Sequence, residues 1–191
     1  MNGNIIIVGV GGQGILLTSR ILGYLALKMG KDIKVSEVHG MSQRGGSVIT
    51  HVRIGDRVDS PLVDAAQADY VLSFEMLEAL RAEGFLKKDG VLITNTQRIL
   101  PMPVISGKVA YPDIRPSAGR TVALDALKLA LDAGSAKSVN IVLLGVLSAF
   151  SEWPEKEWED AVAACVPPKT LAVNLAAFRA GRKCGESEQN G

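Results

Sequence analysis

The spacing of apolar residues changes from segment to segment along the chain, and each change marks an element. Ile5-Ile6-Ile7-Val8 is an unbroken β-branched run, the pattern of a strand covered on both faces. Ile15, Leu16, Ile21, Leu22, Leu25, Ala26 and Met29 then recur at helical spacing, with Gly30 as a natural stop. A second strand is predicted over 33–38, so the first 38 residues read as a βαβ unit of a parallel sheet. Val48, Thr50, Val52 and Ile54 alternate, predicting a third strand with one buried face. Short strands over 69–74 and 91–94 enclose a helix over 75–84. Four of the eight prolines (Pro101, Pro103, Pro112 and Pro116) fall in an extended connection over 95–117, with a strand expected near 104–110.

The rest of the chain reads as helical. Helices are expected over 121–133 and 138–150, the second so apolar that it suits either the central core or an interface. Pro154 can open the next helix, whose stripe is Trp158, Ala161, Val162 and Cys165. Trp153 and Trp158 fit core packing or a subunit contact. After Pro167-Pro168 a last helix is expected to reach about Arg182. The expected architecture is α/β: a single Rossmann-like domain over residues 1–184, with a mainly parallel sheet flanked by helices and a helical C-terminal third. A flexible tail is expected over 185–191.

Composition narrows the function classes. The 191 residues carry a net charge of +1, which argues against a broad nucleic-acid footprint. The most apolar stretch, 139–150, is well short of the roughly 20 residues of a membrane span. No basic region precedes the first strand, so no export signal is read and a cytoplasmic location is expected. The two cysteines, Cys165 and Cys184, exclude a disulfide scaffold and an iron–sulfur site built by this chain alone. Cys165 is expected in the core and Cys184 near the exposed tail. The only histidines are His39 and His51, with no metal-ligand spacing around them. His51 reads as structural, while His39 sits at the start of a loop of interest. No catalytic residue is assigned to this chain alone.

Two loops carry the chemistry. Gly9-Val10-Gly11-Gly12-Gln13-Gly14 matches G-x-G-x-x-G between a predicted strand and helix. Such a loop turns the chain, admits a ligand to its backbone and aims a helix N-terminus at an anion. Three readings fit it. It contacts a dinucleotide, with Glu37 placed where a ribose-binding acid sits; it is a bare tight turn; or it contacts a partner chain. The second loop, Ser42-Gln43-Arg44-Gly45-Gly46, leaves the same sheet edge. It combines a guanidinium fork with glycines that permit close backbone approach.

The two loops in this order, with Glu37-Val38-His39-Gly40-Met41 before the second and Ser47-Val48 and His51-Val52-Arg53-Ile54-Gly55 after it, resemble the gamma-type subunit or domain of 2-oxoacid:ferredoxin oxidoreductases. The Met41-to-Gly46 variant is most like the beta subunits of the indolepyruvate branch. The resemblance extends to about Arg182. It implies an accessory subunit of a complex that oxidatively decarboxylates 2-oxo acids to acyl-CoA and reduces ferredoxin. It places thiamine diphosphate, Mg and [4Fe-4S] clusters in a large alpha subunit. It makes Gly9, Gly11, Gly12, Gln13, Gly14, Ser42, Gln43, Arg44, Gly45 and Gly46 the residues facing coenzyme A or that partner. The competing reading is a stand-alone NAD(P)-binding oxidoreductase.

Overall fold

The computed structural model describes residues 1–40, 46–111, 116 and 119–189. Its strands are β1 (Gly3–Val10), β2 (Asp32–His39), β3 (Ser47–Gly55), β4 (Ala68–Ser73), β5 (Leu86–Asn95) and β6 (Arg120–Leu124). They form one sheet in the order β2-β3-β1-β4-β5-β6. Only β3 runs against the rest, antiparallel to both β1 and β2. The pairs β1–β4, β4–β5 and β5–β6 are parallel. The sheet is therefore mainly parallel, but the expected βαβ unit is corrected in one respect: β3 lies between β1 and β2. The burial of each strand explains the insertion. β3 buries Val48, Thr50, His51, Val52 and Ile54, whereas β2 buries none of its residues and is suited to the edge.

The helices are α1 (Ile15–Lys28), α2 (Met76–Ala82), α3 (Met102–Ile105), α4 (Ala126–Asp132), α5 (Val139–Ala149), α6 (Glu155–Cys165) and α7 (Leu171–Gln189). Ile5 and Ile7 of β1 face a core shared with α1 and α4–α7, while Ile6 and Val8 face a smaller core closed by α2. α5 is central core, with every residue from Asn140 to Ala149 buried. It packs on α7 backbone to backbone. A Cβ on Gly145 would stand 2.1 Å from the Phe178 carbonyl oxygen, and one on Gly181 would stand 1.9 Å from that of Val142. Trp158 is fully buried beside Trp153 and Phe178, so both tryptophans are core residues.

Three expectations are revised. Residues 120–124 form strand β6, not the start of a helix. Thr121 and Val122 pair with Leu92 and Ile93, and the Asp125 carboxylate then caps α4 by accepting from Lys128 N at 2.9 Å. The strand expected near 104–110 is replaced by the short helix α3, because Pro101 and Pro103 sit at its first turn, where a missing N–H costs nothing. The last helix passes Arg182 and includes residues 185–189. Gly185 lies against Val146 and Ala149 of α5, and Gln189 Nε2 donates to Ala149 O at 2.8 Å. Cys184 is accordingly half-buried against the core.

His51 is structural. Its Nδ1 accepts from Val63 N at 3.1 Å, and its ring meets Phe85 edge-on. Burial lowers its pKa below the usual 6.5. The folded state therefore binds fewer protons than the unfolded chain, and the contribution is complete above pH 6.5 and lost as the pH falls through the lowered folded value. Urea midpoints measured across this range should show the loss in the natural chain. A His51→Gln variant, which keeps an acceptor for Val63, should lack it.

Candidate functional site

The C-terminal ends of β1, β2, β4, β5 and β6 share one edge of the sheet, and the start of β3 joins them there. The chain leaves β1 toward β2 on one side, while β4 lies on the other. This is the kind of switch point at which open α/β sheets bind ligands. The glycine loop occupies it. Gly12 and Gly14 have φ of +92° and +86°, values that favour glycine. Gly14 is the N-cap of α1, and no side chain among the described residues caps the first turn. Asn140 at the start of α5 donates to Gly14 O at 3.3 Å.

The Gln13 side chain folds back inside the loop. Its Oε1 accepts from Val10 N at 2.7 Å, and its Nε2 donates to Phe74 O at 3.1 Å, just beyond the end of β4. A Cβ on Gly9 would stand 2.6 Å from that Oε1, so the first glycine of the motif makes room for the amide. Gly11 N donates to Gly46 O at 3.1 Å and so joins the two loops. Of the sequence-predicted site, Gly9, Gly11, Gly12, Gln13, Gly14 and Gly46 thus lie together. Ser42, Gln43, Arg44 and Gly45 lie outside the described residues.

Several cavities open along this edge, one of about 260 Å³ lined by Gly11, Gly12, Gly14, Glu37, His39 and Val48, and two larger ones. Of the larger two, one of about 520 Å³ is lined by Gly12, Gln13, Gly14, Gln97, Lys137 and Asn140. The other, of about 410 Å³, lies between Val10, Ser47 and Glu78 on one side and the apolar stretch from Ile99 to Ile105 on the other. Ile99 lines both. Both volumes fall in the range of small-molecule sites.

Sequence reasoning missed two buried carboxylates here. Glu75, 1% exposed, follows β4. Its Oε2 accepts from Leu77 N at 2.7 Å and Glu78 N at 3.1 Å, and its Oε1 from Ile99 N at 2.9 Å and Tyr111 Oη at 3.0 Å. Burial and the Glu75 carboxylate push the Tyr111 hydroxyl up to about 12. Glu78 accepts from the Ser47 hydroxyl and pairs with Arg81 at 2.6 Å. An acid at the end of an apolar strand and before a helix is the visible signal for Glu75; nothing local marks Glu78.

The acid of the dinucleotide reading, Glu37, lines a cavity with Gly11, Gly12 and Gly14, but its strand does not sit beside β1. β3 places β2 two strands from β1, roughly 9–10 Å at ordinary strand spacing. The Glu37 carboxylate is also engaged by the His39 ring and by Thr50 Oγ1, the latter at 3.0 Å. Cys165 is not placed for chemistry. Cys165 contacts the Arg20 carbonyl at 3.9 Å, and burial pushes its thiol pKa up. Among the described residues no group of three or more His, Cys, Asp or Glu is arranged to hold a metal ion. An iron–sulfur cluster, which takes four thiolates, does not fit this chain's two cysteines. No helix among the described residues is long and apolar enough to cross a membrane.

Residues 4–184 match the model of the pyruvate ferredoxin/flavodoxin oxidoreductase family. The chain belongs to this family. Indolepyruvate oxidoreductase subunit IorB of Thermococcus kodakarensis is 44% identical over 193 residues, covering 96% of each chain. The crystal structure of the keto/oxoacid ferredoxin oxidoreductase gamma subunit from Geobacter sulfurreducens superposes with a TM-score of 0.75 at 26% identity, covering 97% of this chain and 99% of that one. The fold also matches 31% of a 2-oxoglutarate:ferredoxin oxidoreductase chain from Magnetococcus marinus, a structure with coenzyme A bound, with a TM-score of 0.77 at 18% identity and 97% of this chain covered. The stand-alone dinucleotide enzyme is not favoured by these relatives.

Proposed function

We propose that this chain is the small accessory subunit of a cytoplasmic, thiamine diphosphate-dependent 2-oxoacid:ferredoxin oxidoreductase acting on indolepyruvate and related arylpyruvates. The complex cleaves the bond between the keto carbon and the carboxylate. It releases carbon dioxide, joins the acyl group to the coenzyme A sulfur with loss of one proton, and passes two electrons to ferredoxin. Thiamine diphosphate, Mg and the [4Fe-4S] clusters belong to the large alpha subunit, and this chain alone is inactive. The observation that carries the reading is the glycine loop, joined to the second loop through Gly11 and Gly46, in a chain that aligns end to end with an indolepyruvate oxidoreductase subunit.

Within that complex residues 1–184 act as one domain whose loop edge faces the active site. Coenzyme A supplies phosphates, and the uncapped first turn of α1 with Lys137 across the 520 Å³ cavity suits an anion. Gly12 and Gly14 present backbone to it, Gly9 and Gly11 shape the turn, and the roles assigned to Ser42, Gln43, Arg44, Gly45 and Gly46 are toward coenzyme A or the large subunit.

Reconstitution tests this directly. The chain and the large subunit are combined without oxygen and supplied with indolepyruvate, coenzyme A and thiamine diphosphate, and acceptor reduction is followed. Only the pair should turn over; a large subunit equally active by itself overturns the proposal. Arg44→Ala should raise the KM for coenzyme A about tenfold, the scale of one lost charge-assisted contact. Unchanged assembly, activity and coenzyme A dependence would remove Arg44 from the site.

A further inference from the structure

Gln13 lies at the centre of the loop, yet both ends of its amide are engaged by backbone: the acceptor by Val10 N–H and the donor by Phe74 O. Gln13 N also donates to Val10 O at 3.3 Å, so residues 10–13 close on themselves through main chain and side chain together. Phe74 O takes a second bond, from Asn95 Nδ2 at 3.3 Å. Asn95 is fully buried, and its Oδ1 accepts from Ala126 N at 3.2 Å at the start of α4. The amide of Gln13 therefore ties the glycine loop to the ends of β4 and β5 and to α4. Among the described residues, by contrast, no atom lies within 4 Å of where a Cβ on Gly12 would stand. The exposed part of the loop is free to meet a ligand only as the buried part sets it.

We propose that Gln13 is a positioning residue for coenzyme A: its amide sets the loop so that the Gly12–Gly14 backbone and the first turn of α1 receive the phosphates, without itself binding them. This rests on the coenzyme A reading above. The glycine motif by itself specifies no glutamine at this place, so the role belongs to the contacts of this side chain.

The reconstituted complex provides the test, with the Gln13→Met and Gln13→Glu variants. Met fills the same space and makes neither bond. Glu keeps an acceptor for Val10 but opposes a carboxylate to the Phe74 carbonyl until it is protonated, and that carbonyl raises its pKa. Gln13→Met should raise the KM for coenzyme A about tenfold while kcat changes little. Gln13→Glu should resemble Met at alkaline pH and recover toward the natural complex on acidification, a pH profile that the natural glutamine and the Met variant both lack. Thermal destabilisation with an unchanged KM, or a Glu variant without pH-dependent recovery, overturns the proposal; the Glu profile decides if the Met variant fails to assemble. Hydrogen exchange of the natural complex separates the two levels. If coenzyme A protects the amides of residues 12–16, the underlying reading stands and the variants judge Gln13 alone. If it protects none of them, both fall.

Discussion

Gly181→Ala will destabilise the chain by about 3 kcal/mol or more, at the upper end of overpacking penalties. Its Cβ would stand 1.9 Å from Val142 O and 2.8 Å from Val142 C, atoms of the α5 backbone that no rotamer change can move. α5 would have to withdraw from α7, and with it the fully buried Phe178, Val142 and Val146 that lie between them. The helix-propensity gain of alanine over glycine, about 1 kcal/mol, is too small to compensate. The same substitution at Gly23 supplies the control. Gly23 lies within α1 with nothing within 4 Å of an added Cβ, so Gly23→Ala should stabilise by about 0.5–1 kcal/mol. Urea denaturation of the two variants beside the natural chain reads both signs. A neutral Gly181→Ala would mean that the two helices are not held at this separation.

What could be read from the residues and what could not divides along the range of the forces involved. Ile5 to Val8 and the glycine loop announce themselves because their demands are local: an apolar run for a doubly covered strand, and glycines where φ is positive. The place of β3 was not visible. Its alternation marks one buried face, but the other is covered by the following loop. Arg53 holds that loop by donating to the Ser60 and Leu62 carbonyls, and His51 by accepting from Val63. Such contacts leave no periodic trace, and without them a strand after a βα unit reads as an ordinary next strand. β6 reads as the start of a helix because a five-residue strand and the helix that Asp125 caps share one continuous apolar pattern. In the site, the loop's backbone was legible, but the commitment of Gln13 to Phe74, 61 residues away, was not.

Glu75 is the other side chain whose partners are distant, and Glu75→Gln will cost about 2 kcal/mol, the scale expected when the Ile99 N–H loses its acceptor. The carboxylate takes two donors on each oxygen: the first-turn N–H groups of Leu77 and Glu78, then Ile99 N–H and the Tyr111 hydroxyl. A glutamine has one carbonyl oxygen. Turned toward α2, its NH2 faces the two N–H donors of Leu77 and Glu78; turned toward the 97–111 connection, it faces only the Ile99 N–H as a donor, because the Tyr111 hydroxyl can rotate and accept from it. The rotamer that keeps the helix cap is favoured, because the cap holds two backbone groups of one rigid turn. The loss then falls on Ile99, which lines the two larger cavities of the site, while the Tyr111 hydroxyl turns to accept. Tyr111→Phe removes only one of the four bonds, leaves the carboxylate with three donors and should cost about 1 kcal/mol. Denaturation gives the two magnitudes, and hydrogen exchange locates the damage: Glu75→Gln should raise exchange at Ile99 while the amides of Leu77 and Glu78 stay protected. Equal loss of protection at all three would mean that the carboxylate serves the helix and the site wall as one unit, whereas an unchanged Ile99 would show that the wall is held without it.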